Sequence, residues 1–165
     1  MATVRGMMII SNTTPFIYFH RVGRIDLLRQ LFGRVYIPKE VSKELQLGQR
    51  GESIILDLEW IEVVSVQNRA IINVLAQNVD LGEAEVLALA MERSASRVII
   101  DDALARMAAA LLQIPVIGTV GILITSKTGG LLTTVKEPLD AMISAGLWIA
   151  PKLYEQVLRK TGEYE

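Results

Sequence analysis

The sequence has no cysteine and a single histidine, His20. Disulfides, thiol nucleophiles, zinc ribbons and iron–sulfur clusters are thereby excluded. Multi-histidine metal sites go with them, and a Ser-His-Asp triad has only His20 to draw on. An excess of charge of either sign is lacking too: 17 Lys+Arg stand against 18 Asp+Glu, for a net charge of −1. Non-specific binding to nucleic acid is built from surplus Lys and Arg, so this is not a general polyanion binder. A local basic patch, or a metal that meets phosphate, stays open. No apolar run reaches the ~20 residues of a membrane span. The most apolar stretch, Ala103 to Ile117, is interrupted by Arg106, Gln113 and Pro115. The short run Met7–Ile10 falls below the length of a signal-peptide core. The expectation is a cytoplasmic protein.

What is present is an ordinary globular composition, 51% hydrophobic and 21% charged over 165 residues. That length suits one domain that hides roughly 70% of its unfolded surface. Five short apolar runs read as strands: Met7–Ile10, Arg34–Ile37, Ile61–Val66, Arg97–Ile100 and Pro115–Ile117. Several are continuously apolar, as parallel strands are when helices cover both faces. Helical patterns lie between them. Ile25, Leu27, Leu28 and Leu31 mark one face, and Pro38 opens Lys39–Leu45. Gly82–Arg93 and Asp102–Leu112 are amphipathic. After Thr119 only helices are expected: Val120–Thr128, Lys136–Ala145 and Pro151–Thr161, with Gly129-Gly130 and Gly146 at C-cap positions. The predicted architecture is a three-layer α/β/α sandwich with a central parallel sheet of four or five strands. Its core spans about residues 7–118 and a helical extension covers about 119–162. Gly48–Asp80 is poorly marked.

Open parallel sheets bind ligands beyond the carboxyl ends of their strands. Ser11, Asn12, Thr13 and Thr14 follow the first predicted strand. Glu40 and Glu44 lie in the helix after the second, and Asp101 and Asp102 follow the fourth. Glu83 and Glu85 open the helix before that fourth strand. Acids from several segments can therefore converge at one edge. Clustered carboxylates raise one another's pKa values or bind a cation. A set of oxygen ligands without His or Cys selects Mg²⁺ or Mn²⁺. Such ions bridge phosphate oxygens and activate water.

Every one of these residues also has a plain structural reading. Asp101-Asp102 can be a helix N-cap, and Glu83 and Glu85 can complement a helix dipole. Residues two apart point different ways on a helix, so at most one of Glu83 and Glu85 is expected to face the site. Glu44 can pair with Lys39 or Lys43 on a solvated face. Asn12-Thr13-Thr14-Pro15 can be an Asx turn and an N-cap. His20, Met7 and Met8 read as structural, and Gly118-Thr119-Val120-Gly121 as a turn into a helix, since it lacks the lysine of a phosphate loop. The specificity lies in order and position.

In that order the chain resembles the PIN domain family. The resemblance runs through MMIISNTTPFIYFHRVGRIDLLRQLFGRVYIPKEVSKEL, then DLGEAEVLALAMERSASRVIIDDALARMAAALLQIPVIGTVGILITSKTGGLL, then KEPLDAMISAGLWIAPKLYEQVL. It covers about Met7 to Gly162, and the VGRIDLL, GEAE, IDD and GTVG elements carry it. It is similar to an uncharacterised PIN-like subfamily, related to VapC-like toxins and described as nucleic-acid-binding.

The resemblance implies a Mg²⁺- or Mn²⁺-dependent endoribonuclease with an acidic site. It also implies a homodimer, an RNA substrate and, as one context, the toxin of a toxin–antitoxin pair with an antitoxin protein as partner. The first family acid falls at Asn12, the second at Glu44, the third at Glu83 with Glu85 as second choice, and the fourth at Asp101 with Asp102 alongside. Metal ligands are expected from Glu44, Glu83, Glu85, Asp101 and Asp102. Asn12 is a departure: an amide oxygen can ligate a metal but brings no charge. Losing a full charge beside a divalent ion costs ~1 to several kcal/mol. Arg106 is expected at phosphate, or else paired with Asp102 at i,i+4. Lys39, Lys43, Arg21 and Arg24 form a candidate RNA patch or a solvated surface. A second hypothesis follows from Asn12: a PIN-like binding or regulatory domain without useful catalysis. Other α/β enzymes fit less well. A haloacid-dehalogenase-type phosphatase needs Asp where Asn12 stands, and a receiver domain needs an acidic pair there.

Overall fold

A computed structural model describes residues 7–165. Five parallel strands form its sheet: β1 (Ile9–Ser11), β2 (Val35–Pro38), β3 (Ile61–Val64), β4 (Arg97–Ile99) and β5 (Val116–Ile117). Their order is β3-β2-β1-β4-β5. Ile9, Ile10 and Ser11 are all buried, and successive strand residues point to opposite faces, so both faces of the central strand are covered. The register sets Ser11 beside Ile99, and the Asn12 amide donates to the Ile99 carbonyl at 3.0 Å. The chain leaves β1 toward β2 and β3, then returns to place β4 on its other side. The order thus reverses at β1/β4, where open α/β sheets hold their ligands.

Nine α-helices follow one another among the described residues: α1 (Thr13–Arg21), α2 (Asp26–Phe32), α3 (Lys39–Gln46), α4 (Arg69–Leu75), α5 (Leu81–Arg93), α6 (Ala103–Leu111), α7 (Thr119–Thr128), α8 (Lys136–Ser144) and α9 (Pro151–Lys160). A 3-10 segment, Glu52–Asp57, precedes β3. The central helix is α5, buried from Gly82 to Ala90 and packed on β1, β2 and β4. A helix apolar all round from Val86 to Ala90 belongs inside a fold, while Glu83 and Glu85 are buried in its first turns. No helix among the described residues is long and apolar enough to cross a membrane.

The expected α/β/α sandwich with a parallel sheet is the observed one. Boundaries move by one or two residues: β1 starts at Ile9 rather than Met7, and β3 ends at Val64 rather than Val66. Two helices were not foreseen. Ser-Asn-Thr-Thr-Pro reads as a turn, yet Thr13 starts α1 directly. Pro15 sits in the first turn, where its missing N–H costs nothing. Burial of Phe16 and Phe19 overrides the weak helix propensity of this aromatic and β-branched segment. In the poorly marked stretch, α4 is held by the Asn68 side chain, which accepts from the Ile71 amide at 3.2 Å. The apolar C-terminal residues Ile122, Leu123, Leu139 and Met142 are fully buried within the chain.

Candidate functional site

The site begins at the end of β1. Asn12 is the N-cap of α1, but its side chain makes no capping bond. It is 5% exposed, and its Oδ1 has no hydrogen-bond partner among the described residues. A buried acceptor left unmade costs about 1–3 kcal/mol, so this atom asks for a partner. Next to it, Thr13 Oγ1 donates to Glu44 Oε2 at 2.5 Å and fixes the α3 carboxylate against α1.

The opposing wall is the first turn of α5. Asp80 is its N-cap: its Oδ1 accepts from the Glu83 amide at 2.8 Å, and Glu83 Oε2 accepts from the Asp80 amide at 3.2 Å. This reciprocal pair is a capping box. Gly82 lies between. A Cβ placed on it would stand 2.6 Å from Glu44 Oε1, 3.4 Å from Asn12 Oδ1 and 3.5 Å from Asp80 Oδ1. Three oxygens from three segments thus crowd against Gly82, and Glu44 Oε1 fills the place that a side chain there would take. The Gly82 backbone has no positive φ, so glycine is needed there for room and not for conformation.

Asp101 follows β4 across the crevice. Its Oδ1 accepts from the Thr119 amide at 2.7 Å and its Oδ2 from Thr119 Oγ1 at 2.6 Å, so the start of α7 orients it. Arg106 donates to the Ile100 carbonyl at 3.4 Å, beside Asp101. A Cβ on Gly118 would meet Arg106 Nη1 at 2.6 Å and Asp101 Oδ1 at 2.8 Å, so Gly118 too is a place of close approach.

The electrostatics are those of crowded carboxylates. Burial pushes the Glu83 carboxyl up to about 7, with the charges of Asp80 and Asp102 adding to it. Burial also raises Glu44; the Thr13 hydroxyl works against this, and the charges of Asp80, Glu40 and Glu85 reinforce it. Burial raises Glu85 as well, opposed by the Glu40 backbone amide. A carboxyl raised in the folded state favours folding fully below its ordinary value of 4.5, and Glu83 loses that contribution as the pH climbs to about 7. The site therefore accumulates unfavourable negative charge toward neutral pH.

A family described as a PIN domain matches residues 8–163. The chain belongs to the PIN domain family. No curated protein matches the chain. PIN domains are in general nucleases that use divalent metals.

The PIN domain brings Asn12 and Glu44 together and sets Asp101 and Glu83 near the same edge. It parts the remaining residues expected from sequence. Glu85 is buried but turns to the Glu40 amide at the start of α3. Asp102 is exposed and caps α6, its Oδ2 accepting from the Ala105 amide at 3.0 Å. Arg106 forms no ion pair with it. Three of the four basic residues are engaged in ion pairs. Lys43 pairs with Glu40 at 3.7 Å, Arg24 with Glu137 at 3.8 Å and Arg21 with the buried Glu52 at 3.5 Å, while Lys39 is exposed. Among the described residues no three acidic, histidine or cysteine side chains are grouped as a metal site. The converging set is two carboxylates and an amide, all hard oxygen donors. That chemistry fits Mg²⁺, which is bound by one or two carboxylates and keeps several waters. The unpartnered Asn12 Oδ1 facing carboxylate oxygens fits a cation as well. Sequence reading missed Asp80. Its signal is the Asp-x-x-Glu box at Asp80–Glu83, which marks the helix start.

Proposed function

We propose that this PIN domain is a divalent-metal-dependent endoribonuclease that hydrolyses RNA phosphodiester bonds. The observation that carries this reading is the gathering of the unpartnered Asn12 Oδ1 and of Glu44 Oε1 against Gly82, beside the β1/β4 crevice. Asn12, Glu44 and Asp101 are the residues that would hold Mg²⁺ or Mn²⁺. When bound, such an ion sets positive charge against phosphate oxygens and lowers the pKa of water.

The chain's own residues do the remaining work. Thr13 keeps Glu44 in place and Thr119 keeps Asp101 in place. Glu83, whose carboxyl is pushed up by burial and by the charge of Asp80, stands in the first turn of α5 as the candidate general base. Its Oε1 is the oxygen free to take the proton, because Oε2 accepts from the Asp80 amide. Arg106, exposed beside Asp101, is placed to meet a phosphate of the strand. The biological setting of this reading is a cytoplasmic toxin whose small antitoxin protein holds it in check, acting as a homodimer; its support is the family resemblance.

A second reading is favoured by one observation: Asn12 stands where the family has its first acid. On that reading the domain binds nucleic acid or protein without cleaving. Incubation of a mixed cellular RNA pool with Mn²⁺ separates the two. The nuclease reading expects Mn²⁺-dependent fragments that chelator removes and that Asp101→Asn reduces by about a hundredfold or more. Retention of RNA without fragments, equal in wild type and variant, supports the binding domain.

A further inference from the structure

The residue that follows β1 is an amide, Asn12, which offers an oxygen but brings no charge to a cation site. Asp80 stands where that charge is missing. Its Oδ1 is 3.5 Å from the point at Gly82 that Glu44 Oε1 and Asn12 Oδ1 also approach. Its charge is felt at both Glu44 and Glu83. The N-cap bond to the Glu83 amide uses one acceptor position of a carboxylate that has about four, so the group is not exhausted by capping. Asp80 is exposed whereas Asn12 is buried. Buried and solvent-facing oxygens therefore meet beside Gly82. Independent of the acids, the buried Asn12 Oδ1 has no partner and is aimed at the same place. Asp80 Oδ1 has the Glu83 amide as a donor and Asn12 Oδ1 has none, and a cation beside them would relieve the repulsion that remains among the three oxygens.

We infer that Asp80 is an oxygen ligand of the divalent cation, completing with Asn12 and Glu44 a three-oxygen set around Gly82 and supplying the negative charge that Asn12 lacks. This rests on the metal-dependent reading above. It changes the ligand set: the N-cap of α5 contributes directly, while Glu85 and Asp102 serve the starts of α3 and α6.

Asp80→Asn is the discriminating variant, because Asn is as good an N-cap as Asp and keeps α5 intact. Asp80→Ser, also a good cap, serves as the second variant should the first fail to fold. Mn²⁺ affinity is read by calorimetry in about 0.5 M KCl, which screens a charge acting from a distance. Asp26→Asn, which removes one charge from an exposed Arg29 pair, is the control. Unchanged thermal midpoints with Mn²⁺ affinity at least about tenfold weaker in the Asp80 variants, and not in the control, bear the inference out. A smaller loss in a folded Asp80 variant, with Glu44→Gln still abolishing binding, overturns the role of Asp80 and leaves the metal-dependent reading standing. No binding to the wild type overturns both.

Discussion

Gly82→Ala is expected to abolish Mn²⁺ binding in a protein that folds as well as the wild type or better. Alanine in a helix is favoured over glycine by about 0.8–1.0 kcal/mol, and Gly82 has no positive φ to protect. The new Cβ comes to 2.6 Å from Glu44 Oε1. That oxygen is the tip of a flexible side chain, so the carboxylate swings away and the α5 backbone stays. Moving Glu44 strains its bond from Thr13 and takes it from Asn12. The methyl group meanwhile occupies the space between Asn12 and Asp80. Thermal denaturation is expected to give an equal or higher midpoint, with Mn²⁺ affinity at least about tenfold weaker. A variant that binds Mn²⁺ like the wild type shows that the space at Gly82 is not the cation site.

Glu163→Gln is expected to cost about 3 kcal/mol of stability at neutral pH, on a linkage of about 1.36 kcal/mol per pKa unit. Glu163 accepts from the Val135 amide at 3.0 and 2.9 Å, from the Lys136 amide at 2.9 Å and from Lys127 Nζ at 3.0 Å. It thereby ties the residues after α9 to the start of α8 and the end of α7. Burial works against its charge, but the two amides and Lys127 overcome this and hold the carboxyl at about 2, against an ordinary 4.5. A depressed carboxyl stabilises above its unfolded value and loses that stabilisation as the pH falls through the folded one. The deficit of Glu163→Gln should therefore be full at neutral pH, shrink below about 4.5 and vanish near 2. Urea denaturation of both proteins across that range measures it. A deficit independent of pH would assign the effect to packing instead of charge.

The fold was legible because its signals are local. Continuous apolar runs such as Arg97–Ile100 and the Ala/Leu-rich helix after Gly82 announce buried strands and their covering helices within a few residues. Where tertiary burial overrode local preference, legibility failed: α1 forms from a segment with turn chemistry because Phe16 and Phe19 are buried. The site was legible in its parts and not in its assembly. Asn12, Glu44 and Asp101 follow from strand order. Glu83 and Glu85, two residues apart, could not be separated by spacing, since their roles depend on which amide each one meets. Asp80 was missed, since its local signal is only that of a helix cap, whereas its approach to Glu44 beside Gly82 is a relation between α5 and α3. The partner of Arg21 was not legible for the same reason: Glu52 lies in a distant 3-10 segment.

The central claim is a divalent cation site built on Glu44, and calorimetric titration of Mn²⁺ into the wild type and Glu44→Gln at neutral pH tests it most directly. The account predicts micromolar-to-submillimolar binding to the wild type and a loss of at least about tenfold in the variant. Absence of binding to the wild type at millimolar Mn²⁺, or equal binding by both proteins, would contradict it.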